Sequence, residues 1–192
     1  MDEENSIEVP APLGISDMKP LKDRAFEGRV NPKGIPCLYL ATTKRAAVSE
    51  VRPWIGALVS VAQLKTERNL TIVDCSKLHK TRPIFLEEPP QQKIDDAVWA
   101  SIDRAFSEPI TPTEDSADYA PTQTLAELFC SKGYDGLAYK SAFGEDGYNI
   151  ALFDLESATV INCALVKVTE LDVKFVDEGN SYFVRPKSKE PS

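Results

Sequence analysis

From Leu21 onward the apolar positions fall into blocks that change period along the chain, and each block predicts an element. Residues 29–41 read as a turn at 31–34 leading into a short buried strand over 37–41. Thr42 or Thr43 is placed to cap a helix through Ala46, Ala47 and Glu50, and Pro53 forces that helix to stop near Val51 or Arg52. Residues 57–64 and 70–74 are β-branched apolar runs with a polar link of five residues between them, the spacing of an antiparallel pair. In 92–106, Ile94, Val98, Ile102 and Phe106 recur every four residues and predict one apolar helix stripe, widened by Trp99. A second helix is expected over 121–132, with Leu125, Leu128 and Phe129 inward and Gly133 ending it. Strands over 136–140, 148–153 and 164–176 follow. This order lacks regular β-α-β alternation and predicts a single α+β domain with a mixed or antiparallel sheet and flanking helices.

Residues 1–22 are acidic and carry Pro10, Pro12 and Pro20, so a flexible N-terminal arm is expected ahead of a body over 23–176, with a polar tail over 177–192. The 192 residues suit one domain, and 42% hydrophobic with 27% charged is the composition of a globular protein. The net charge of −8 repels phosphate backbones, which argues against general nucleic-acid binding. No run approaches the roughly 18 apolar residues of a membrane span, and the first residues lack the basic and apolar parts of a signal peptide. A cytoplasmic location without membrane attachment is the expectation.

Cys37, Cys75, Cys130 and Cys163 lie far apart in apolar segments, without zinc-site spacing, and read as small core residues. His79, the sole histidine, sits in a polar loop between Lys77 and Lys80 and reads as a surface residue. No metal site is expected.

Charge is unevenly spread. Between Arg29 and Arg52, five basic residues stand against the single acid Glu50, a net of +4 that leaves −12 for the rest. This window can hold a small anion, although the same charges suit a solvated helix face. Ala46 lies one turn before Glu50 on the expected helix, so close packing could hold this carboxylate near the strand ends. Ser141 stands where a strand opens into a loop containing Gly144 and Gly147, as a ligand contact or a turn former.

The stretches Gly28-Arg-Val-Asn-Pro-Lys-Gly-Ile-Pro-Cys-Leu-Tyr-Leu-Ala41, Ala46-Ala-Val-Ser-Glu-Val-Arg52 and Tyr139-Lys-Ser141 with Gly147-Tyr-Asn-Ile-Ala-Leu-Phe-Asp154 resemble the RES domain, named for its arginine, glutamate and serine. The resemblance implies an ADP-ribosyltransferase-like fold that binds NAD as substrate and breaks its nicotinamide–ribose bond, as a glycohydrolase or phosphorylase that depletes NAD or as an ADP-ribosyltransferase that modifies a target. It also implies a toxin neutralised by a cognate helix-turn-helix antitoxin. By position Arg29, Glu50 and Ser141 match the catalytic set, and Tyr39 matches a tyrosine of the pocket; Arg52 and Asn149 are added as NAD-binding candidates. Val30 follows Arg29 where family members often carry an aromatic residue. A catalytically inactive RES-like binding or interaction domain is the alternative.

Overall fold

A computed structural model describes residues 10–85, 87–109, 116–143, 147–176 and 179. In chain order the elements are β1 (Leu38–Ala41), α1 (Lys44–Glu50), β2 (Leu58–Thr66), β3 (Ile72–Asp74), α2 (Gln91–Ser107), α3 (Ala120–Ser131), β4 (Gly136–Lys140), β5 (Tyr148–Leu152) and β6 (Ala158–Lys167). They form a single α+β domain. One sheet has four strands in the order β1-β5-β4-β3, antiparallel except for the parallel β3–β4 pair, and β2 with β6 makes a separate antiparallel ribbon.

The expected pairing of 57–64 with 70–74 is therefore corrected. β2 takes β6 as its partner, from Leu58↔Lys167 to Thr66↔Ala158 with a register shift between Gln63 and Leu64, while β3 joins β4. The cause lies in the link between them: Arg68 forks onto the Asp135 carboxylate, which also accepts from the Thr71 backbone N–H. That clamp aims β3 alongside β4 instead of back along β2, and the Arg68 hydrogen bonds hold the Asp135 carboxyl below its ordinary range. The expected strand over 164–176 is likewise displaced to Ala158–Lys167, because the β2 register requires residues 158–163, and beyond Val168 no pairing continues.

Alternation along the strands places two cores on opposite faces of the four-stranded sheet. Val73, Leu137, Tyr139 and Ala151 meet Phe106 of α2 and Ala126 of α3, with Trp99, Ile102, Leu125 and Phe129 packed around them. On the other face Leu38 and Leu152 meet Leu155 and Ala158, with Leu64 of the ribbon against them. β4 is buried on both faces, as a central strand should be.

The stripe on α2 divides. Phe106 is fully buried and Ile102 packs on the core, yet Ile94 and Val98 are exposed and line a shallow apolar hollow of about 380 Å³ with Phe85 and Leu125. Ala100 and Asp103 take the inward positions. On α3 the inward residues are Thr122 and Ala126, and Leu128 is exposed against expectation. Asp103 explains a second correction: His79 Nδ1 sits 3.0 Å from both of its carboxylate oxygens, so the histidine is half-buried and ties its turn to α2. Cys37 and Cys75 are core residues whose thiols burial pushes up to about 12, but Cys130 is exposed and Cys163 half-buried.

Residues 10–22, read as an arm, lie against the body: the Leu13 N–H donates to Ser60 and Lys19 Nζ to the Leu155 carbonyl. The tail over 177–192 falls outside the described residues except for Gly179. No helix among the described residues is long and apolar enough to cross a membrane.

Candidate active site

Glu50 is the last residue of α1, and local signals put it there. Thr43 caps the helix by accepting from the Ala46 N–H at 3.1 Å, and Val51 closes it two residues before Pro53. Thr42 stitches the start of α1 to β5, donating its N–H to the Tyr148 carbonyl and accepting from the Tyr148 N–H through Oγ1. Ala46, 1% exposed, lies against Gly147; a Cβ on that glycine would stand 2.8 Å from the Ala46 Cβ. Only the bare hydrogen of Gly147 lets the Ala46 methyl, and with it the helix, come this close.

That approach brings three predicted residues together. Ser141 Oγ donates to Glu50 Oε1 at 2.9 Å, and Asn149 Nδ2 donates to the same oxygen at 2.6 Å. Ser141 and Asn149 are buried, whereas Glu50 is exposed, so the carboxylate is anchored from beneath and still reachable from outside. The Phe143 N–H in turn donates to Ser141 Oγ, fixing the direction of the hydroxyl.

A cavity of about 60 Å³ opens beside the carboxylate. Arg29, Glu50, Arg52, Tyr139, Lys140 and Asn149 supply its polar wall, and Phe106, Pro109 and Phe143 its apolar one. It is smaller than the hollow on α2, but the cationic groups converge here. Lys33, Lys44 and Arg45 of the basic window are exposed and do not line it.

Arg29 is held by a loop that several buried groups fix. Asn31 donates to the carbonyls of Phe26 and Ile35, and Gln123 of α3 donates to those of Gly28 and Asn31. The guanidinium itself forks onto the carbonyls of Ala105 and Glu108, at 2.7 and 2.6 Å, and so caps the end of α2. Tyr39 is not in the cavity wall. Its hydroxyl donates to Asn31 Oδ1 and accepts from the Val30 N–H, so it braces the Arg29 loop from β1. Val30 is buried in the core.

Arg52 has φ 46, the left-handed region, immediately before a proline, a conformation that costs on the order of 1 kcal/mol. It carries the guanidinium over the Phe143 ring, 5.6 Å from the centroid. Burial lifts the Tyr139 phenol above its ordinary range, with the Arg29 charge opposing and the Glu50 charge reinforcing that shift.

Phe106, Tyr139, Lys140 and Phe143 escaped the sequence reading as site residues. Phe106 shows only as one of a helix stripe, but Tyr139 was open to inference, since it stands directly opposite Asn149 on the paired strand. Among the described residues no group of three or more His, Cys, Asp or Glu is placed to hold a metal.

This is an α+β domain with an anchored carboxylate and a ring of cations at one end of its sheet. The RES domain model matches residues 11–174, and the chain belongs to that family. The family is associated in general with NAD-related toxin activity, and its members pair with antitoxins. No curated protein and no solved structure matches the chain.

Proposed function

We propose that the protein is an NAD-consuming toxin with an ADP-ribosyltransferase-like fold, which breaks the nicotinamide–ribose bond and is neutralised by a helix-turn-helix antitoxin. The observation that carries this reading is the Glu50 carboxylate held by Ser141 and Asn149 at the edge of a cavity lined by Arg29, Arg52 and Lys140. Nicotinamide leaves NAD as a neutral molecule, so no second carboxyl is needed to protonate it, unlike in ordinary glycosidases. Positive charge develops on the ribose carbon as the bond opens, and Glu50 faces that charge with its orientation already set. The carbon then bonds to an oxygen of water or phosphate, or to a protein side chain, which loses its proton to solvent. The cations take the diphosphate, for which the planar fork of an arginine is well shaped. The cavity, about 60 Å³, is far smaller than a dinucleotide, so most of the substrate lies outside it.

Expression in cells tests the reading: the NAD pool should fall before growth stops, and co-expression of a cognate antitoxin should restore both. Growth arrest with an unchanged NAD pool would leave the inactive, binding-domain alternative standing.

Arg29 cannot serve two masters without a cost. To grip a diphosphate it must share or leave the α2 carbonyls, so Arg29→Ala is expected to weaken NAD binding and to lower stability by about 1 kcal/mol. Lysine there should recover only part of the affinity, having no fork. Calorimetry with NAD and a thermal melt on each variant check the two effects. Unchanged affinity in Arg29→Ala would make the residue a helix cap only.

Gly147→Ala tests the close approach of α1. Ordinary carbon–carbon contact requires the helix to retreat by roughly 1 Å, which draws Glu50 away from Ser141 and Asn149. NAD turnover should drop on the order of a hundredfold, as for other small misplacements of a catalytic group, while circular dichroism keeps the parent's shape. Turnover equal to the parent's would show that α1 need not sit so close.

A further inference from the structure

Asn149 is 6% exposed and lines the cavity, yet among the described residues its Oδ1 makes no hydrogen bond, the Tyr139 phenol lying beside the amide without donating to that oxygen. A buried acceptor left without a partner is costly, so a site that keeps one normally meets a donor on its ligand. The amide cannot relieve itself by turning over. Nδ2 is pinned by the Glu50 carboxylate at 2.6 Å, and a reversed amide would set oxygen against oxygen. Oδ1 must therefore face away from Oε1. Glu50 uses Oε1 for Ser141 and Asn149, and among the described residues Oε2 remains as a second acceptor on the same connected group. Neighbouring acceptors of this kind suit the adjacent hydroxyls of a ribose.

We infer that Asn149 reads the sugar of the substrate: its Oδ1 accepts from the ribose hydroxyl next to the one taken by Glu50, so the site requires an intact ribose diol. This rests on the NAD reading above. Asn149 thus has a positioning role through Nδ2 and a specificity role through Oδ1, and Ser141 separates them because it shares the first role and not the second.

The test compares kcat/KM for NAD and for its analogue lacking the 3′-hydroxyl of the nicotinamide ribose, in the parent, Asn149→Ala and Ser141→Ala. The parent should prefer NAD by on the order of tenfold or more, the penalty for stranding a buried acceptor. In Asn149→Ala the preference should shrink to within about threefold, whereas Ser141→Ala should turn over slowly and keep it. Asn149→Ser replaces Asn149→Ala should the alanine variant not fold. A uniform loss of rate with the preference intact would reduce Asn149 to positioning and overturn the proposal. So would a preference that moves only between NAD and its nicotinic-acid counterpart, since the acceptor would then read the leaving group. A folded parent that leaves NAD intact fails the underlying reading and this inference with it. A parent that cleaves NAD with a preference unmoved by Asn149→Ala fails this inference alone.

Discussion

Glu50→Gln is expected to lower kcat for NAD cleavage by on the order of a hundredfold or more while KM moves little. Glutamine keeps the size of the side chain and an oxygen that can accept from Ser141 and Asn149. What it removes is the negative charge, and that charge matters most when the ribose becomes cationic, after binding is complete. Glu50 is exposed and ends its helix, so stability should hardly change. Steady-state kinetics, with circular dichroism on the same preparations, separates loss of chemistry from loss of fold. A variant that is slow only because it is unfolded would not support the role, and one as fast as the parent would remove it.

Phe106→Ala should give the largest change in stability, about 3–5 kcal/mol. The ring is fully buried between α2 and the sheet, with its centroid 5.7 Å from that of Tyr139, and it also forms part of the cavity wall. Its removal takes away packing that no neighbour can replace without moving strand or helix. Val98→Ala, two turns earlier on the same helix but exposed in the apolar hollow, should cost less than about 1 kcal/mol. Urea titrations should show a lower midpoint for Phe106→Ala with an unchanged slope. Equal midpoints for the two variants would mean that the core does not sit where α2 meets β4.

The difference between those two positions marks how far the sequence could be read. Ile94, Val98, Ile102 and Phe106 share one spacing, and periodicity locates the helix without saying how much of the stripe a neighbour covers. Only the placement of α3 and of the chain around Phe85 decides that. Local chemistry was legible in the same way: a cap at Thr42 or Thr43, of which Thr43 serves, Pro53 as stop and Gly133 as the residue ending α3 all act within a few residues of themselves.

Partner choice in the sheets was not legible, because β2 and β6 meet across roughly half the chain, and nothing within either strand encodes the other. The clamp that redirects β3 joins Arg68 to Asp135, again distant in sequence. His79 was misjudged for a related reason: its loop is polar, but its partner Asp103 comes from the inward side of α2. In the site, Glu50, Ser141 and Asn149 do converge. The contacts of Arg29 with the α2 carbonyls and the bracing role of Tyr39 depend on how α2 ends and where the 29–31 loop lies, which spacing does not reveal.

On the proposed function, the anchored carboxylate of Glu50 drives cleavage of the nicotinamide–ribose bond. Proton NMR of NAD with catalytic amounts of purified parent or Glu50→Gln follows that bond directly. The resonances of nicotinamide within NAD should give way to those of free nicotinamide in the parent sample, and persist on the order of a hundredfold longer or more with the variant. NAD left unchanged by a folded parent, or consumed at the same rate by both proteins, would contradict it.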